Sequence, residues 1–240
     1  PRLPDLEFNE WEAINQVLNW VNSIAKPKET YILNDGYQDQ AWENEPYVYR
    51  SPYSIVLNRS FVSGKVQLQS AGEIRVKANS QLQHTILIAR SIYIESGFEG
   101  VVQAFASENI TLEAAVKLHY PSVLRVQKHH DQTHIQIGAN SQLAGAVILG
   151  GKNYAQSFLP SEQINIAKGA EIQGSVYGPN VSLQARVNGQ VIADRFVLKH
   201  LGTEYRNFLL DGQIDLRALD ANYVSPLIFG GDDRKLIEWL

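Results

Sequence analysis

Four side chains within one short stretch, His129, His130, Asp131 and His134 in "KHHDQTH", offer the imidazole and carboxylate donors that zinc or a similar ion takes. Adjacent histidines rarely share one ion, and the stretch interrupts a repeat, so a solvated loop is the competing reading. A second group lies nearer the start. Asp35, Tyr37, Trp42 and Tyr47 stand in "NDGYQDQAWENEPYVY", where acidic oxygens alternate with rings. Oxygen-rich loops suit calcium, and exposed rings could stack on a sugar, but the spacing is not that of an EF-hand. The bland reading is a polar loop with aromatics folded onto the body of the protein. No G-x-S-x-G, H-E-x-x-H or phosphate-binding loop occurs, no catalytic residue is assigned, and no cofactor is expected.

Composition narrows the classes further. The chain has 240 residues, 44% of them hydrophobic, and a formal charge of −4. That charge, with no basic stripe, points away from nucleic acid, whose binders neutralise phosphates. Cysteine is absent, so disulfides, thiolate metal sites and a cysteine nucleophile are excluded. The longest apolar run, Val101 to Ala106, falls far below the ~18 residues of a membrane helix.

Whatever chemistry exists must be held by elements that the spacing reveals. Val76, Leu82, Ile88, Ile94, Gly100, Ala106, Leu112, Leu118 and Leu124 recur every six residues, all apolar or glycine. A companion series two residues earlier runs Ile74, Ser80, Ile86, Ile92, Phe98, Ala104, Ile110, Val116 and Ser122. Inward pairs at i and i+2 describe short strands, because strand side chains alternate faces. Strand, turn, strand on a six-residue beat predicts a parallel β-helix, with three hexads to each turn of the chain. The motif ANSQL appears at 78–82 and again at 139–143, as expected for a repeated corner.

The expected organisation is an N-terminal α-helical cap over 1–30, in which Trp11, Ile14, Leu18 and Val21 form an apolar stripe. An aromatic and acidic loop region follows over 31–58. The β-solenoid occupies 59–198, with insertions at 127–133 and 150–163, and a mixed capping segment fills 199–240. Late in the solenoid the repeat tightens to fifteen residues, and Gly145, Gly174 and Gly189 are expected at corners that need positive φ or close backbone approach. His84 stands where the other ANSQL copy has Gly145.

The segment "INIAKGAEIQGSVYGPNVSLQARVNGQVIADRFVLK" carries the pattern G-x-V-x-A/G-x-x-x-V/F-x-L twice, at Gly174, Val176, Gly178, Val181, Leu183 and at Gly189, Val191, Ala193, Phe196, Leu198. Over 135–198 it resembles the repeats of bactofilins, polymer-forming proteins built as right-handed β-helices. The resemblance implies an all-β, single-stranded, right-handed parallel β-helix. It also implies a non-enzymatic scaffold of the bacterial cell envelope that associates with itself or with another envelope protein. A signal or anchor ahead of Pro1 is expected on that reading. Two enzyme classes also use such helices. Hexapeptide acyltransferases employ a histidine base, for which His84 and His119 are the candidates, and polysaccharide-active β-helices need clustered carboxylates. The alternative expectation is therefore a surface-exposed protein that binds or processes carbohydrate.

Overall fold

A computed structural model describes residues 12–41, 44–127, 133–150 and 163–223. These are all-β apart from the α-helix Glu12–Ser23 and a short 3-10 turn, Leu216–Ala218. Strand pairing is parallel throughout, with the single exception among the described residues of Thr203–Arg206, which runs antiparallel to 197–200.

The pairings fall into three ladders that the chain visits in rotation. The first joins 30–34, 54–58, 74–76, 91–94, 109–112, 134–137, 164–166 and 181–183. The second runs through 37–40, 61–64, 81–83, 99–100, 117–118, 142–143, 171–172, 186–187 and 213–214, with Val101 N donating to Leu82 O where 81–83 meets 99–100. The third joins 47–51, 66–70, 86–89, 102–106, 123–126, 145–148, 174–177 and 189–192. Ile74, Ile92 and Ile110 are register partners eighteen residues apart. Gly174 and Gly189 are partners at fifteen.

Alternation places one side-chain column of each ladder inside. Ile55, Ile74, Ile92, Ile110 and Ile135 stack in the first, and Leu68, Leu87, Ala104, Leu124 and Val147 in the third, all buried in one core. Each buried Ile or Leu contributes roughly 1.5–3 kcal/mol, and the column gives it similar neighbours above and below.

The six-residue beat breaks between Leu118 and Ser122, where the corner is two residues longer, and earlier at His84. His84 adopts φ 57 and adds a residue to its corner, so Gly145 registers through Ser122 and Val102 with Thr85 rather than with His84. His84 is thus an extra corner residue, not a substitute for the glycine. The slip turns Leu87 and Ala89 inward, and Ile86 and Ile88, which the beat expected inside, point out.

That outward apolar strip is what the helix covers. Leu18, with Ile14 and Val17, packs on Ile88, Phe105 and Ile86. Arg90 fastens the helix end, its Nη2 donating to the carbonyls of Val21 (3.0 Å) and Ile24 (2.6 Å), which satisfies groups a helix C-terminus leaves open. The helix expected as an end cap therefore lies on the flank of the third ladder, because the slipped phase puts the apolar surface there. Residues 31–58, expected as loop, form strands Thr30–Asn34, Tyr37–Gln40, Tyr47–Ser51 and Ser54–Asn58. Polar side chains hid them, since the outermost strands have little to bury. The interiors of both expected insertions fall largely outside the described residues, and the strands on either side of each keep their register.

Candidate interaction surface

The corners explain how the ladders hold their side chains. After the first ladder the chain turns at Asp35, Arg59, Gly97, Ala115, Asn140 and Gly169, all with positive φ. The following serine often binds the neighbouring turn. Ser80 Oγ accepts from Ser60 N at 3.3 Å, and Ser141 Oγ accepts from Val116 N at 3.1 Å while donating to Glu113 O. The two ANSQL copies thus do the same work. From the first copy an amide ladder runs from Asn79 Nδ2 to Asn58 Oδ1 (3.1 Å) and from Asn58 Nδ2 to Asn34 Oδ1 (2.7 Å).

Gly145, Gly174 and Gly189 share one register at the corner into the third ladder, with φ 147, 141 and 149. A Cβ on each would lie 1.7, 1.9 and 1.9 Å from the carbonyl oxygens of Ser122, Gly145 and Gly174. Only glycine lets these turns approach so closely.

The flanks carry charge, much of it paired mid-stack. Arg75 contacts Glu73 at 3.0 Å and lies 4.0 Å over the Tyr93 ring, Lys77 contacts Glu95 at 2.5 Å, and Tyr93 Oη donates to Glu113. His119 Nε2 lies 2.9 Å from Glu99 Oε1 on the exposed second ladder. That hydrogen bond, with Lys117 adding to it, holds the Glu99 carboxyl below the usual carboxylate range. On the third ladder's outer face Arg125 donates from Nη2 to Asn15 of the helix at 3.0 Å, and burial pushes its guanidinium down to about 10.

The ends differ from the flanks. The first turn is formed by 30–34, 37–40 and 47–51, each the outermost strand of its ladder and each paired on one side only among the described residues. It exposes Tyr31, Ile32 (54%), Tyr37 (73%), Tyr47, Val48 and Tyr53. Tyr37 stacks on Phe61 of the next turn at 5.1 Å, and Tyr31 lies 6.4 Å from Tyr49. Burial, then the neighbouring Tyr31 and Tyr47, raises the Tyr49 hydroxyl above its ordinary value. At the far end Leu201 (90%), Phe208, Leu209, Leu210 and Leu216 are exposed. Between the ends only Tyr120 joins the exposed large hydrophobics of the described residues.

The sequence-derived candidates distribute unevenly over this surface. Asp35, Tyr37 and Tyr47 all belong to the first turn: Asp35 at the first corner, Tyr37 at the start of the second ladder and Tyr47 on the third. Asp35 is paired with Arg59 at 2.8 Å. Trp42, His129, His130 and Asp131 lie outside the described residues, and His134 sits in the strand His134–Ile137 opposite Asn109. Among the described residues no group of three His, Cys, Asp or Glu could hold a metal ion, and no helix is long and apolar enough to cross a membrane. Sequence reading missed Ile32 and Val48, the exposed aliphatics of the outermost strands. The signal was the short apolar runs "YIL" and "YVY", each set in a polar stretch too rich in acidic residues and turn formers to show a clean period. Compared with family models, curated proteins and solved structures, the chain matches none.

Proposed function

We propose that this chain is a single-stranded parallel β-solenoid acting as a non-enzymatic structural protein that associates through its ends, as the bactofilin-like repeats suggest, in a bacterial cell envelope. The carrying observation is the segregation of its surface: exposed large hydrophobics gather at the two ends, while the mid-stack flank carries ion pairs such as Arg75–Glu73 and Lys77–Glu95. Exposed apolar patches mark contact surfaces, and an open strand edge is a template for another chain. The solenoid reading is supported by strands that return in parallel register once per turn on three ladders. Right-handed winding is proposed because about 98% of parallel crossovers take that hand. Light scattering across a concentration series tests the function. Mass rising with concentration supports end association, and a monomer at every concentration counts against it.

A second reading rests on Tyr37, an exposed ring stacked on Phe61 beside the Asp35–Arg59 pair. It would serve as a platform for a sugar face. Glycan binding lost in Tyr37→Ala would favour it over the scaffold.

A further inference from the structure

We infer that residues 1–11 dock as a strap along the outer face of the third ladder, continuing the line of the helix over Ile148 and Tyr177. The inference concerns a flank and stands apart from end association.

Parallel register stacks the outward side chains of the third ladder in one column, which includes Arg50, Ile88, Phe105, Arg125, Ile148 and Tyr177. Alternation turns these away from the inward Leu87, Ala104, Leu124 and Val147, and neither Ile148 nor Tyr177 belongs to the core that those residues form. Both are nevertheless buried, Ile148 at 1% exposure and Tyr177 at 3%. An isoleucine and a tyrosine facing out from a bare flank would be wetted, so something covers this part of the column. Among the described residues, Gln142–Gly150 and Glu171–Leu183 pack against neighbouring strands of the stack. Tyr223 meets the corner, its Oη donating to Gly145 O at 2.9 Å. The cover therefore comes from another segment of this chain.

The direction of the helix shows which one. Its last turns lie at the first turns of the stack, with Arg50 4.7 Å from the Trp20 ring and Arg90 donating to Val21 O and Ile24 O. Its middle seats Leu18 on Ile88 and Phe105. Near its start Asn15 accepts from Arg125 at 3.0 Å. Followed toward its N-terminus, the helix thus climbs the column turn by turn, and Ile148 is the step after Arg125. The chain ahead of Glu12 leaves the helix aimed along that column.

The spacing agrees. Turns of the stack are about 4.8 Å apart, and a helix rises about 1.5 Å per residue, so Trp11, ahead of Asn15 by one helical turn, falls at Ile148. Trp11 also shares the helix face of Ile14 and Leu18. Leu6 and Phe8 are the apolar groups that follow toward Tyr177. Residues 224–240 are the competing occupant, since Tyr223 sits at the neighbouring corner, but no described element aims them along the column. A seated strap seals the apolar part of this flank from the helix to Tyr177 and leaves the ends to a partner.

The test uses a chain without cysteine. A single thiol from Ile148→Cys reports on the cover, Tyr177→Cys is a second probe, and β circular dichroism shows that each variant folds. In the otherwise unchanged chain the thiol should react slowly with iodoacetamide. Adding Phe8→Asp with Trp11→Asp, which puts charge where the strap buries rings, should raise the alkylation rate at least about tenfold, and Ile228→Asp with Phe229→Asp should leave it unchanged. Phe8→Ala with Trp11→Ala takes the place of the charged pair if that pair does not fold. This pattern supports the inference. A thiol that reacts freely from the outset, a rate unmoved by the Phe8 and Trp11 variants, or a rise of the same size with the Ile228 and Phe229 pair overturns it, the last pointing to 224–240 as the cover. None of these outcomes bears on end association, which light scattering reads separately.

Discussion

At the residue scale, the corners decide what can be changed. Gly174 has a φ no L side chain adopts easily, and a methyl group there would meet Gly145 O at 1.9 Å and Tyr223 Oη at 2.6 Å. Gly174→Ala is expected to lower stability by about 3 kcal/mol, since backbone strain and a backbone clash add; urea unfolding measures it. Ala115 presents the opposite case. It holds φ 57 at an exposed corner without being glycine, so Ala115→Gly should raise stability by about 0.5–1 kcal/mol in the same assay, the left-handed penalty being partly offset by glycine's entropy. The Glu99–His119 pair yields a pH signature. A carboxyl held below its ordinary range favours the folded state above that range, and the contribution disappears as pH falls through the depressed value. Nuclear magnetic resonance titration should find Glu99 low in the wild type and shifted back upward in His119→Gln, where the principal hydrogen-bond partner changes.

The helix is the element whose role changed most between sequence and structure. Its stripe of Ile14, Leu18 and Val21 was legible as three- and four-residue spacing, and so was the need for an apolar surface to receive it. The location of that surface was not. One added corner residue, His84, throws Ile86 and Ile88 outward, and a period count across a slip still finds apolar residues on the beat. Leu18→Ala, at a position with no solvent exposure, is expected to cost about 2–4 kcal/mol in chemical denaturation. Hydrogen exchange should rise along Glu12–Ser23 before the ladders respond. The segment 31–58 was misread for a related reason. An outermost strand buries one edge and few side chains, so Tyr-Gln-Asp-Gln carries hardly any alternation for a reader to find.

For the whole molecule, stability passes from turn to turn, because each strand bonds mainly to its counterparts one turn before and one turn after. Such stacks behave as nearest-neighbour chains, and opening begins where a neighbour is missing. Amide exchange should be slowest near Ile92, Ile110 and Leu124 and fastest at 30–34 and 213–214 in the isolated monomer.

The sequence by itself determined the turn length, the inward columns, the close-approach glycines and the helix. Each of these is a local demand of strand alternation, of backbone approach or of helical periodicity. Only the tertiary structure decided the phase of the third ladder, the seat of the helix, the strand character of 31–58 and the gathering of exposed large hydrophobics at the ends. Those depend on which strand lies beside which, and a residue's burial at an end is set by the turn that does or does not follow it.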